Sequence, residues 1–180
     1  MKRLILSALA AVLCMHMNAQ MFNTGTTLKR NSFSLGLEPV IFIGGPSDGF
    51  NMFFHGGYGL TSGIDLGLKF GAGNTTYFGA DVEWALGRRA SLTTGVHDFG
   101  NFGLDLAFNI TFPLTSSARI FTGLDMDFIF PENNDVVVPV WLPIGVEIGL
   151  RKNLAFILEA EVGLNNPAWH VIGGGVVFYF

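Results

Sequence analysis

Ten of the fourteen acidic residues occupy the same alternate set of positions within their own stretches of chain. They are Glu38, Asp65, Asp81, Glu83, Asp105, Asp125, Asp127, Glu147, Glu159 and Glu161. The residues on either side of most of them are large and apolar. In GLDLAFNITF (103–112), Leu104, Leu106, Phe108, Ile110 and Phe112 alternate with Gly103, Asp105, Ala107, Asn109 and Thr111. A period of two marks an extended strand with two unlike faces. Carboxylates gathered on one face allow different chemistries. A pair can work as general acid and base, and a ring of them favours cations. Bonded to basic and hydroxyl groups, they are simply a hydrated filling. Only Lys69 and Arg119 join them on that face as permanent cations.

Hairpin symmetry brings some of these acids together. A turn centred at Ser116 sets Asp105 opposite Asp127, and a loop centred at Asn74 sets Asp65 opposite Glu83. Facing carboxylates repel unless they share a proton or hold a cation. The candidate cluster is therefore Asp105, Asp125, Asp127, Glu159, Glu161, Asp65, Asp81 and Glu83. Histidine spacing adds no metal centre: there is no HExxH, and His16 lies in the N-terminal leader. His55, facing Lys69, and His97 fall on the acidic face near one end, and His170 opens the last strand. The runs GAGNTT and GGPSDG lack GK[ST] and a following helix, so they read as turns and not phosphate cradles. No catalytic residue, cofactor or metal is expected.

The elements that must position the acids are strands throughout. Ten are predicted: 32–43, 50–60, 64–73, 76–86, 90–98, 102–113, 118–130, 136–150, 154–164 and 169–180. Short polar turns (Thr61-Ser62-Gly63, Gly87-Arg88-Arg89, Thr115-Ser116-Ser117, Arg151-Lys152-Asn153) alternate with more varied connections such as GGPSDGF and PENNDVV. That alternation describes an up-and-down antiparallel meander. Pro39, Pro139 and Pro143 fall inside strands, where bulges or unpaired rims are expected. Trp141, between two of them, is expected to plug the outer mouth unless a one-residue bulge turns it outward.

Ahead of the strands, MKRLILSALAAVLCMHMNAQ joins Lys2 and Arg3 to an apolar run and the small residue Ala19. This is the pattern of a cleaved secretory signal over 1–19. A polar segment, 20–31, follows, and the strands fill 32–180. The remaining chain of about 161 residues has no cysteine, hence no disulfide or thiolate site. With eight Lys and Arg against fourteen acids it offers no footprint for nucleic acid. No segment beyond the leader has the 18 consecutive apolar residues of a spanning helix.

The remaining question is which face meets water. In a soluble exported barrel the apolar face would line the interior and could hold a hydrophobic ligand. Three features oppose that alternative. The polar face is sparse and nearly free of Lys; only 13% of the chain is charged, against a usual value of about 25%. The apolar face carries large residues almost without a break, more than a small barrel can enclose. The strands have the length that crosses a bilayer when tilted. The inverted arrangement, lipid outside and polar groups within, fits all three.

The tail GGGVVFYF, with Val176, Phe178 and Phe180 on one face, resembles the terminal strand of small bacterial outer-membrane β-barrel proteins. YGLTSGIDLGLKFG (58–71) is similar to a strand–turn–strand unit of the same class. The resemblance implies an all-β, antiparallel up-and-down transmembrane barrel of ten strands, with eight as the alternative. It implies export to the outer membrane, both termini in the periplasm, and Phe180 as a signal to the barrel-assembly machinery. The expected partners are that machinery and outer-membrane lipid, and the sequence leaves oligomeric state open. Aromatic girdles are expected at Tyr58, Trp84, Phe112 and Phe180 near the short turns, and at Phe50, Phe128, Phe130 and Trp169 near the loops. The end NNPAWHVIGGGVVFYF is loosely similar to barrel lipid A deacylases, but LEAEVGL (158–164) lacks their His and Ser, so that activity is not carried over. The expected role is structural or one of surface interaction, with a narrow cation-preferring pore as the alternative.

Overall fold

In the computed structural model, which describes residues 24–44, 48–132 and 135–180, the chain is a meander that closes on itself. The leader 1–19 lies outside the described residues. The strands are β1 (Phe33–Ile43), β2 (Gly49–Thr61), β3 (Ile64–Gly73), β4 (Tyr77–Ala85), β5 (Ala90–Asp98), β6 (Phe102–Pro113), β7 (Ala118–Phe130), β8 (Val140–Arg151), β9 (Leu154–Gly163) and β10 (His170–Tyr179). Each pairs antiparallel with its sequence neighbours, and β1 pairs with both β2 and β10. This is a ten-stranded up-and-down barrel, not an eight-stranded one. Phe33 and Phe180 exchange backbone hydrogen bonds of 3.0 and 2.8 Å, so both ends of the wall meet at one rim, the rim that carries the short turns.

The prolines act differently from expectation. Pro39 faces outward, and the β1–β10 ladder lapses between Leu37↔Val176 and Val40↔Gly173, then resumes in the same register. Pro143 interrupts β7–β8 in the same way between Thr122↔Ile144 and Asp125↔Trp141. A missing N–H therefore costs a rung without adding a residue. The register shifts lie instead beside short turns, at Gly59/Thr61 and Gly149/Arg151. The eighth strand begins at Val140 and not at 136. Upstream, Pro139 accepts a bond from Asp127 N–H (3.2 Å) but has no N–H to return, and only the bridge Ile129↔Val137 continues the pairing.

The two faces of the wall are inverted relative to a water-soluble barrel. Leu68, Phe78, Phe108, Ile144 and Leu158 are exposed on the outside, as are large apolar residues on every other strand. Glu38, Asn51, Glu83, Ser91 and Asn109 are buried within. Such a wall hides every strand edge in the ladder and turns hydrocarbon outward, the arrangement of a membrane-spanning barrel.

Glycines on the inner face make room for large neighbours. The Phe121 ring, fully buried, fills the space where a Cβ on Gly145 would stand, and packs with Ile157 and Val177 in a small apolar layer. At the short-turn rim the N-terminal segment runs into the lumen. Asn31 N–H bonds Gly59 O (2.7 Å), Leu28 N–H bonds Asp65, and Arg119 Nη1 bonds Thr26 Oγ1 (2.7 Å). Thr24 is buried and Gly25 lies against the backbone of Asn109 and Ile110. Between Gly59 on β2 and Asn109 on β6 the segment crosses to the far wall, so it straps that end of the barrel.

Candidate functional site: a loop-end vestibule

Beyond this strap, toward the loop rim, the lumen widens into a cavity of about 290 Å³. It reaches Asn101 and Pro167, which are exposed at the loops. Seven carboxylates line it: Glu38, Asp81, Asp105, Asp125, Asp127, Glu159 and Glu161. The one ammonium among the lining residues, Lys69, is ion-paired with Asp81 at 3.0 Å.

Strand register explains the grouping. Asp105 on β6 lies opposite Asp127 on β7, with Asp125 two residues along the same inner face. Glu159 and Glu161 project from β9, and Pro143 of β8 lies opposite Glu161. Six of the eight acids of the sequence-derived cluster thus share one cavity, joined by Glu38. Asp65 and Glu83 face each other across β3–β4 but lie apart from the vestibule. Asp65 is bound instead to the strap through Leu28 N–H, and Glu83 is buried beside it. Near the same rim Glu147 receives Arg119 Nε at 2.8 Å and lies 3.4 Å from the Tyr179 hydroxyl.

His97 enters from β5. Its ring occupies the space that a Cβ on Gly103 would take, and Nδ1 bonds Asp105 Oδ1. Toward an ionised Asp105 that nitrogen carries the proton. Nε2 is 4.0 Å from Asp127 Oδ2. Tyr77 stacks on the imidazole with centroids 5.5 Å apart and planes at 23°. One ligand atom from each of His97, Asp105 and Asp127 fits within 4.8 Å of the others, so these three could share an ion. The spacing of histidines along the chain carried no hint of this, because the three residues meet across strands. His55 lies opposite Lys69 and 3.8 Å from Glu38, both side chains buried. His170 is exposed, its Nδ1 accepting from Gly163 N–H at 3.1 Å.

The aromatic lining is the part sequence reasoning did not find. Phe42, Phe53, Tyr77, Phe99 and Trp169 form a chain of ring contacts with centroids 5.2 to 6.5 Å apart. Trp169 corrects an expectation: it points into the lumen and is not part of the outer girdle. The signal was present, since Trp169 has the parity of the inward residues Val171 and Gly173. Trp141 is buried and faces inward, and its Nε1 donates to Trp169 O at 2.7 Å. Phe50, Phe112, Phe130 and Phe180 are exposed on the outside. Carboxylates with aromatic faces suit cations, which gain from both ionic pairing and the ring quadrupole.

No protein-family model matches the chain, and no curated protein matches it in sequence. Among solved structures it is similar to the N-terminal β-barrel domain of Pseudomonas aeruginosa OprF, at 18% identity and a TM-score of 0.41, covering 85% of this chain and 100% of that one. It is also similar to the translocator domain of the autotransporter NalP from Neisseria meningitidis, at 7% identity and a TM-score of 0.47, covering 89% and 90%. A de novo designed transmembrane β-barrel aligns at 8% identity and a TM-score of 0.48, over 86% and 100%. The architecture stated above rests on strand pairing and on the two faces of the wall.

Proposed function

We propose that the protein is an integral barrel of a bacterial outer membrane whose loop-end vestibule captures cationic ligands from outside the cell. Export through the leader 1–19, periplasmic termini and recognition of Phe180 by the assembly machinery belong to this reading. The observation that carries it is the vestibule itself: seven carboxylates against one already paired lysine, among aromatic rings, reached from the loops. The chemistry suits an organic ammonium or guanidinium group. It gives the surface-interaction role a definite contact point. An open cation pore is less favoured, because residues 24–31 cross the opposite end of the lumen.

Titration of the detergent-folded barrel with spermidine tests the reading. Saturable binding is expected, weakened at least tenfold by Asp125→Asn with Glu161→Gln and unchanged by Glu132→Gln on an exposed loop. Absence of saturable binding would return the protein to a purely structural role. In planar bilayers no steady current is expected, and a steady cation-selective current would favour the pore. Loss of Phe180 is expected to impair assembly in cells while leaving folding into detergent intact.

A further inference from the structure

We infer that His97 and Asp127, with Asp105 behind them, form a binding site for one divalent transition-metal ion in the vestibule wall. The site lies in the vestibule already described and depends on access from the loops. His97 Nε2 and Asp127 Oδ2 stand 4.0 Å apart. That is too far for a hydrogen bond. It is close enough for both to bind one ion, since bonds from imidazole nitrogen and carboxylate oxygen to zinc are about 2.0–2.2 Å. The other ring nitrogen, Nδ1, is bonded to Asp105. A carboxylate on the far nitrogen fixes the tautomer that leaves Nε2 free to ligate, and it makes the imidazole more basic. Asp105 is itself within ligand reach of the other two.

Three further features shape the place. Gly103 leaves room for the His97 ring, and Gly95 leaves room for the Asp105 carboxylate. Tyr77, stacked on the imidazole, limits its rotation. One imidazole with carboxylates selects zinc, copper, iron or manganese over magnesium and calcium, which prefer all-oxygen sites.

The experiment uses the full-length mature barrel, folded in detergent, without a polyhistidine tag. Zinc titration by calorimetry is expected to give one saturable equivalent, competed by copper. Copper-loaded protein should show coupling to a single imidazole nitrogen in electron paramagnetic resonance. His97→Gln should abolish both signals, and Asp127→Asn should weaken zinc binding at least tenfold. Asp105→Asn should weaken it about 10- to 100-fold, as loss of an orienting partner does. His170→Gln should change neither. Heat-shifted gel mobility checks that each variant is folded, and Asp127→Asn carries the test if His97→Gln is not. No saturable zinc binding, or a nitrogen coupling that survives His97→Gln, would overturn the site. Spermidine binding retained in that case would show that the metal inference fails alone; loss of both would remove the vestibule reading as well.

Discussion

His97 lies between Asp105 and Asp127, bonded to the first through Nδ1 and 4.0 Å from the second through Nε2. The two carboxylates face each other across β6–β7. With metal removed by a chelator, the imidazole remains a hydrogen-bond partner of Asp105 through Nδ1. His97→Gln is therefore expected to destabilise the barrel by about 1–3 kcal/mol, the usual cost of leaving a buried polar group without its partner. Adding Asp127→Asn puts an amide N–H donor opposite Asp105 and should restore part of that loss. The coupling between the two changes should be about 0.5–3 kcal/mol, as for residues in direct contact. Urea unfolding in lipid vesicles measures it, and strictly additive effects would show that His97 and Asp127 are not coupled.

Packing on the inner wall gives a second expectation. Phe121 is fully buried over Gly145 on the neighbouring strand, and an added Cβ would stand 2.1 Å from its Cζ. Gly145→Ala should cost about 1–3 kcal/mol through overpacking. Phe121→Leu in the same chain should recover part of it by vacating the space. Gly87→Ala, in a turn with open space around it, is the control and should leave the unfolding midpoint nearly unchanged.

The wall of the barrel was legible from period-two alternation, and the interior less so. Parity assigns each residue to a face once strands are placed, so the inward position of Asp105 and the outward position of Leu104 both follow from the pattern. Centred turns set the register that brings Asp105 to Asp127 and Asp65 to Glu83. Parity cannot say how a side chain leans once inside. His97 lies level with Gly103, yet its ring reaches across to Asp105 and Asp127 because the glycine leaves space. The strap was hidden for another reason. Residues 24–31 have no periodicity, and their place in the lumen is set by single bonds to Asp65, Gly59 and Arg119, which no local pattern encodes.

Arg119 joins the strap to the wall: its Nη1 donates to Thr26, and its Nε to Glu147. Hydrogen bonds to a charged group contribute about 1.5–3 kcal/mol. Arg119→Ala should therefore raise the population with the segment withdrawn roughly ten- to hundredfold. Lys29 and Arg30 are exposed beside the rim, so trypsin can report the change. Cleavage there should accelerate by about the same factor when opening is fast relative to cutting. Equal cleavage rates for Arg119→Ala and the wild type would mean that the segment is held without Arg119.

Leu68 and Leu114 separate a lipid-facing wall from a water-facing one. Their exposures are nearly equal, at 54% and 57%. Leu68 sits in the middle of β3, opposite Gly56 and Ala80, whereas Leu114 follows the end of β6 beside a short turn. In water, arginine at either exposed site would change stability by less than about 0.5 kcal/mol. In a bilayer the cost depends on depth, about 2–4 kcal/mol at the midplane and about 0–1 kcal/mol near an interface. Leu68→Arg should therefore lower stability in vesicles several-fold more than Leu114→Arg, and the gap should shrink in detergent micelles, whose edge is less sharply defined. Reversible urea titrations of the three proteins in the same vesicles give the comparison. Equal small effects at both positions would mean that the apolar belt does not lie in lipid.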